Sequence, residues 1–394
     1  MSSEPASAKR VSTPLDPPCQ QVRRAGWRRT LATGLYRLGF LDVARRASRS
    51  WGLDLQRGIH FRRALQPKLA ILCYHRVGTR GVPLYSALPP DVFEEQMIYL
   101  HKRFRMLSVA DLCHEIAEPR SKEPGVAVTF DDGYGDLAHY AFPILQKYKI
   151  PATIFLAVGA IESGETLWYD RIFAILQVIS GQTLELELDV PREFPLGSPS
   201  ARLEAAQEIM RKLRTLPDAR RERLCTELES RVALPSGAVT GRMLTWDQIR
   251  TMCRAGISFG SHTMSHRILG RLRPKEVRHE LLESKRIIEE RLGQTVDTFA
   301  FPFGQPGDIG SVTDDTMREC GYQCAMTTIE GVNDPGSNPY RLLRTQIGEE
   351  QALPVFALKL NTLFLSGVRR FPVSTSSAGV PLSKEGPSTE VGHA

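Results

Sequence analysis

Val126-Ala127-Val128-Thr129-Phe130-Asp131-Asp132-Gly133 reads as an apolar strand that runs into two adjacent carboxylates and a glycine. Burying acids at the end of such a strand is costly unless they are paired or hold a metal. At the C-terminal end of a parallel strand they stand on the face where barrels and doubly wound sheets place their active sites. Two readings of the pair stay open on these residues alone. Either one carboxylate holds a metal while its neighbour moves a proton, or the two cap the helix that follows.

Outward from this stretch, short β-rich runs at 69–74, 126–130, 152–158, 257–260, 298–301 and 323–327 alternate with helical stretches. The helical stretches lie at 91–104, 136–148, 245–254 and 274–292. The last is the clearest: Pro274 suits a first helical position, Gly293 suits the residue after the end, and Val277, Leu281, Ile288 and Leu292 share a face. Strands alternating with helices predict an α/β fold with a parallel sheet, either a barrel or doubly wound. One long interruption, 163–243, holds a helical run from Asp170, the alternation Leu184-Glu185-Leu186-Glu187-Leu188, and charged amphipathic stretches at 201–214 and 218–232. It reads as an insertion with structure of its own.

Three further strand ends carry chemistry. Ile257-Ser258-Phe259-Gly260-Ser261-His262-Thr263-Met264-Ser265-His266 places two histidines four apart directly after a strand. On a helical turn that spacing puts both imidazoles on one face, within reach of one ion. Two neutral imidazoles and a carboxylate make a three-ligand zinc site with an open position. Phe299-Ala300-Phe301-Pro302-Phe303-Gly304 reads either as a strand followed by an ordinary turn or as a pocket wall whose backbone N–H faces a developing oxyanion. Ile71-Leu72-Cys73-Tyr74-His75 brings His75 to the same rim.

Taken together, Thr129-Phe130-Asp131-Asp132-Gly133, Ser261-His262-Thr263-Met264-Ser265-His266 and Phe301-Pro302-Phe303-Gly304 resemble the NodB-homology polysaccharide deacetylases, carbohydrate esterase family 4. The resemblance spans roughly 69–162 and 244–350. It implies a distorted (β/α) barrel with an inserted subdomain and metal-dependent removal of acetyl groups from N-acetylated sugars. It also implies roles: Asp131 as general base, Asp132, His262 and His266 as metal ligands, and the Phe303 N–H as an oxyanion donor. The metal implied is Zn²⁺, with Co²⁺ and Ni²⁺ suiting the same ligands. The acid histidine of many members is missing from Arg341-Leu342-Leu343-Arg344. Tyr74-His75 instead matches the arrangement of an exopolysaccharide-type branch, which makes His75 the candidate acid. The arginine that often orients the base is replaced by Ala300. Tyr74, Trp168, Tyr169 and Pro302 are the candidate sugar contacts; Trp168 and Tyr169, which open the insertion, either stack on a sugar ring or pack the insertion against the barrel.

Composition bounds the rest. Hydrophobic residues make up 42% of the 394-residue chain and charged residues 24%, which excludes a mainly disordered protein. The net charge of +7 hides an asymmetry: residues 1–68 carry 14 Lys/Arg against 4 Asp/Glu, and the remainder is slightly acidic. The basic balance therefore belongs to the arm and gives no reason to expect nucleic-acid binding. The expected organisation is a basic arm over 1–68, a barrel over 69–371 interrupted by 163–243, and a Ser/Thr/Pro/Gly-rich tail over 372–394. Seven scattered cysteines argue for a reduced compartment, and no run of about 18 apolar residues exists. A cytoplasmic enzyme is expected, with residues 23–63 either packed on the main domain with an Arg face in solvent or in peripheral contact with an anionic membrane face. Its expected partner is an N-acetylated glycan or a lipid-linked sugar. Other readings of the same residues are a degenerate glycan-binding barrel, a metal-dependent hydrolase of another C–N or ester substrate, and a non-haem iron oxygenase.

Overall fold

The computed structural model describes residues 32–34, 68–79, 87–188, 190–232, 242–348 and 351–366. Most of the basic arm and all of the 372–394 tail lie outside the described residues, as does nearly all of the proposed membrane segment. The strands run β1 (Leu69–Tyr74), β2 (Arg105–Leu107), β3 (Gly125–Phe130), β4 (Ala152–Leu156), β5 (Thr183–Glu187), β6 (Pro191–Pro195), β7 (Ser258–Ser261), β8 (Thr298–Ala300), β9 (Cys324–Glu330) and β10 (Leu342–Gln346). Seven of them, all parallel, lie side by side as β1-β10-β9-β8-β7-β4-β3. β3 then pairs back on β1 over six residues, from Leu69 opposite Gly125 to Tyr74 opposite Phe130, and closes the barrel. β2 adds a short parallel strand to β3 from outside the ring. The choice between barrel and doubly wound sheet is thus settled by the β1–β3 pairing.

Strand alternation decides what faces where. Leu69 and Ile71 of β1, Ala127 of β3, Phe155 of β4, Ala300 of β8, Met326 of β9 and Leu342 of β10 pack together inside the ring. They are joined by Val109, Leu112 and Ile116 from a helix at Val109–Ala117, so the interior is filled by side chains. The intervening residues, Ala70, Leu72, Tyr74, Val126, Val128 and Phe130, point outward into the helical layer. There they meet α1 (Pro90–Arg103), α5 (Trp246–Arg254) and α6 (Pro274–Leu292), the last capped as expected by Gly293 in the left-handed region, φ 66°.

The segment between β4 and α5 has a core of its own. Helices α2 (Trp168–Val178), α3 (Pro199–Leu213) and α4 (Asp218–Ser230) enclose Ile172, Ile175, Leu176, Ile209, Leu213 and Leu224 against the β5–β6 hairpin. The hairpin's Leu184 and Leu186 face in and Glu185 faces out, which is the expected alternation. Elsewhere the structure departs from the sequence pattern at several points. The 136–148 stretch is a π-helical turn, Leu137–Ala141, before a short helix at Phe142–Lys147, because Pro143 cannot donate into a continuous α ladder. β2 and β10 are not evident in the sequence: β2 is three residues long, and β10 has only Leu342-Leu343 before the polar Arg344-Thr345-Gln346.

Candidate active site

Every chemical residue of the sequence reading stands at the C-terminal end of a barrel strand. Asp131 and Asp132 follow β3, His262 follows β7, His75 follows β1, and Phe303 lies just beyond β8. The loops are lashed together by backbone bonds. Ala157 N–H donates to Asp132, Val158 to Thr263, Gly159 to Met264, and His262 to Leu156. Four of the non-glycine residues with positive φ lie here: Asp132 at 72°, Thr263 at 71°, His266 at 53° and Phe303 at 60°. Backbone held in that region costs on the order of 1–3 kcal/mol per residue and persists only where its surroundings enforce it.

The positive φ at Asp132 swings its carboxylate away from the barrel interior and between the two histidines. Asp132 Oδ1 lies 3.4 Å from His262 Nε2 and 3.2 Å from His266 Nε2, and all three residues are buried. The histidines do not sit on a helical turn as their spacing suggested. Residues 262–266 form an irregular loop whose two left-handed residues fold the second ring back beside the first, with centroids 4.9 Å apart. Thr263 Oγ1 accepts the His266 N–H at 2.9 Å. Glu280 of α6 accepts the Met264 and Ser265 N–H groups at 2.9 and 2.8 Å, together with the Ser265 hydroxyl. His262 Nδ1–H donates to the Ala300 carbonyl at 2.7 Å, which leaves the Nε2 lone pair aimed at the site.

These residues fit a divalent metal. Asp132 Oδ1 is fully buried and accepts no hydrogen bond among the described residues. An orphaned carboxylate oxygen facing two imidazole Nε2 atoms is the donor set of a three-ligand site with an open position.

Asp131 has the opposite surroundings. It continues the inward row of β3 and meets Arg344, which points inward from β10. Nη1 and Nη2 of Arg344 each donate to one carboxylate oxygen at 2.7 Å. Arg344 is itself completely buried, with Nε donating to the Thr327 carbonyl at 2.7 Å. Burial raises the Asp131 carboxyl, but Arg344 and then His262 carry it down to about 2. The Cys73 thiol contacts Asp131 Oδ2 at 3.4 Å, and burial pushes that thiol well up. His75 completes the set, its ring nitrogen within 4.8 Å of both the Asp131 carboxylate and the Cys73 sulfur. A neutral thiol and a carboxylate already clamped by Arg344 make this second cluster a poor cation site. With Ala300 where an arginine is expected, the sequence leaves the partner of Asp131 open. The one signal for it is Arg344, a charged residue directly after Leu342-Leu343.

The cleft above these groups has a volume of about 490 Å³ and is lined by His75, Asp131, Asp132, His262, His266 and Phe303 from the barrel rim. Tyr169, Asp170, Phe173 and Met210 form a wall contributed by the insertion. Among the described residues, Phe303 N–H has no backbone acceptor, and its ring packs against the insertion core beneath the Arg214 guanidinium, 4.5 Å away. Of the four expected sugar contacts, Tyr169 alone lines the cleft. Tyr74 points outward with the even-numbered residues of β1, donates to Gln96 Oε1 at 2.8 Å and packs on Phe93 and Phe130. Trp168 is turned into the insertion core, covered by Arg221 at 4.8 Å. Pro302 is buried and outside the lining. Each of the three faces away from the cleft that its chain neighbour, His75, Tyr169 or Phe303, lines.

The sequence pattern of the family described as polysaccharide deacetylase matches residues 118–325, more than half of the chain. The chain belongs to the polysaccharide deacetylase family. This deacetylase is 22% identical over 301 residues to Bacillus subtilis (strain 168) YxkH, a protein named for the same family, covering 75% of this chain and 77% of YxkH. Its fold is similar to that of the Streptococcus pyogenes deacetylase PplD in complex with acetate, with a TM-score of 0.51, 19% identity, and 75% of this chain and 98% of that one covered. A further likeness is to IcaB from Ammonifex degensii, with a TM-score of 0.49, 21% identity, and 76% and 97% covered. The deacetylase is thus a carbohydrate-active hydrolase.

Proposed function

We propose that this deacetylase removes acetyl groups from N-acetylated sugars of a polysaccharide or of its lipid-linked precursor, using a divalent metal held by Asp132, His262 and His266. The observation that carries the reading is the buried, unpartnered Asp132 Oδ1 between two Nε2 atoms, beside a second carboxylate that is clamped by an arginine. A metal there, zinc by its ligand set, supplies Lewis acidity that lowers the pKa of water and polarises the acetyl carbonyl. Asp131 takes a proton from the water that attacks the carbonyl carbon. Phe303 N–H donates to the carbonyl oxygen as negative charge develops on it. His75, at the edge of the cleft, gives a proton to the departing sugar nitrogen, so that acetate and a free amine leave.

The test is acetate release from a panel of N-acetylated oligosaccharides and lipid-linked sugars, with added zinc and with chelator. Zinc-dependent release that Asp131→Asn and His262→Ala abolish supports the reading, and full release by either variant overturns it. For localisation, the charge of residues 1–68 supports a cytoplasmic enzyme resting on the membrane's inner face. Deleting 1–68 is then expected to move the protein to the soluble fraction. Unchanged membrane association would count against it.

A further inference from the structure

The insertion does more than wall the cleft. Tyr169, the second residue of α2, packs against both the barrel core and the insertion core. Its hydroxyl donates to Asp132 Oδ2 at 2.8 Å, on the oxygen opposite the one that faces the histidines. Its ring stands edge-to-face on His266, centroids 5.5 Å apart. Tyr134 braces it from the β3 side: its hydroxyl lies 3.5 Å from that of Tyr169 and donates to both Asp170 oxygens at 3.1 and 3.2 Å. The helix cannot easily drift, because the insertion is pinned to the rim that carries the histidines. Arg267 pairs with Asp218 of α4, Arg214 pairs with Asp308 at 2.5 Å, and Arg271 donates to the Arg214 carbonyl.

From this geometry we propose that Tyr169 is a positioning residue of the metal centre, so that the inserted segment completes the site that the barrel begins. The proposal rests on the metal-site reading of Asp132, His262 and His266. With Oδ2 held by the Tyr169 hydroxyl, the carboxylate presents Oδ1 alone to the two Nε2 atoms. A partner of this kind fixes a ligand's orientation and tunes its basicity, and removing one typically weakens metal binding by roughly 10–100-fold. Tyr169 lines the cleft, where the sequence places a sugar contact, and its hydroxyl is directed at the metal ligand.

The experiment is zinc titration of the full chain against a competing chelating dye, for wild type, Tyr169→Phe and Tyr169→Ala, with the metal-free melting point of each. Cobalt-loaded absorption spectra of the same proteins report ligand geometry. Tyr169→Phe keeps the ring and removes the hydroxyl. It is expected to bind zinc at least ~10-fold more weakly, to melt as wild type without metal, and to shift the cobalt bands. Zinc affinity of Tyr169→Phe equal to wild type overturns the proposal and leaves the metal reading intact. So does a loss confined to Tyr169→Ala, or one accompanied by a fall in the metal-free melting point of Tyr169→Phe, since either assigns the effect to packing. Wild type that binds no zinc overturns the metal reading, and this inference with it.

Discussion

Asp131 and Asp132 are chain neighbours with separate surroundings because one backbone torsion parts them. Asp131 keeps the inward direction of β3 and reaches Arg344, whereas Asp132 at φ 72° leaves that row for the histidines. Truncating Arg344 leaves a buried carboxylate uncompensated. Arg344→Ala is therefore expected to lose about 3–5 kcal/mol of stability and about 100-fold in kcat through a misplaced base. Losing the cation also removes what holds Asp131 low, so the acid limb of the kcat/KM profile moves to higher pH, with Arg344→Lys between the two. An unmoved limb would detach Arg344 from the base. The same ion pair sets an acid limit on the metal-free fold. The Asp131 carboxyl is held at about 2 when folded and lies near 3.9 when unfolded, so its stabilisation is complete above about pH 5 and lost as pH falls through 2 to about 1. The share is on the order of 2.5 kcal/mol, read as the drop in urea-unfolding free energy between those pH values. Removing the titrating group in Asp131→Asn should flatten that part of the curve, whatever its effect at neutral pH. Both carboxylates were legible in the sequence. Their division of labour was not, since it depends on a torsion and on a residue 213 positions away.

At the scale of elements, legibility followed the length of the pattern. β1 matches its expected span to the residue, and α6 was marked at both ends by Pro274 and Gly293. β10 escaped because its buried face is polar after Leu342-Leu343, with Arg344 and Thr345 both buried, and a three-residue strand such as β2 carries too little periodicity to be seen. The histidine loop illustrates a second limit. Helical spacing was an adequate guide to convergence and a wrong guide to conformation, because Glu280 of α6 and the Thr263 hydroxyl, not a helical ladder, hold the loop. β7 meets this loop through Gly260, where an added Cβ would stand 2.5 Å from the Phe155 ring and 2.6 Å from Thr298 Oγ1. Gly260→Ala is expected to destabilise the fold by about 1–3 kcal/mol through overpacking. Because Gly260 lies two residues before His262, its zinc affinity should fall as well. Thermal melting with zinc titration checks both, and retention of wild-type affinity would show that the loop is held by Glu280 independently of β7.

For the molecule as a whole, the metal is expected to act across two cores. The barrel ring encloses one, the insertion encloses another, and Tyr169, Phe173, Met210 and Phe303 are side chains of the cleft that touch the second. Ligands that bind only the folded state stabilise it by RT ln(1 + [L]/Kd), about 2.7 kcal/mol at a hundredfold excess over Kd. Zinc at that excess should therefore raise the melting temperature by several degrees, an increment that chelator reverses and that His262→Ala lacks. Where the increment falls is the more discriminating question. If the insertion were a passive appendage, zinc would slow hydrogen exchange in the loops after β3 and β7 and leave α2 unchanged. The Tyr169–Asp132 bond and the Arg267–Asp218, Arg214–Asp308 and Arg271 contacts instead join α2, α3 and α4 to the histidine rim. Opening α2 in the zinc-bound protein then means breaking a contact to a metal ligand, which links its local unfolding to metal release. Amides of 168–178 should accordingly gain protection on zinc addition in wild type and gain less in Tyr169→Phe. Equal gains in the two proteins would place the coupling in the arginine contacts and not in the tyrosine.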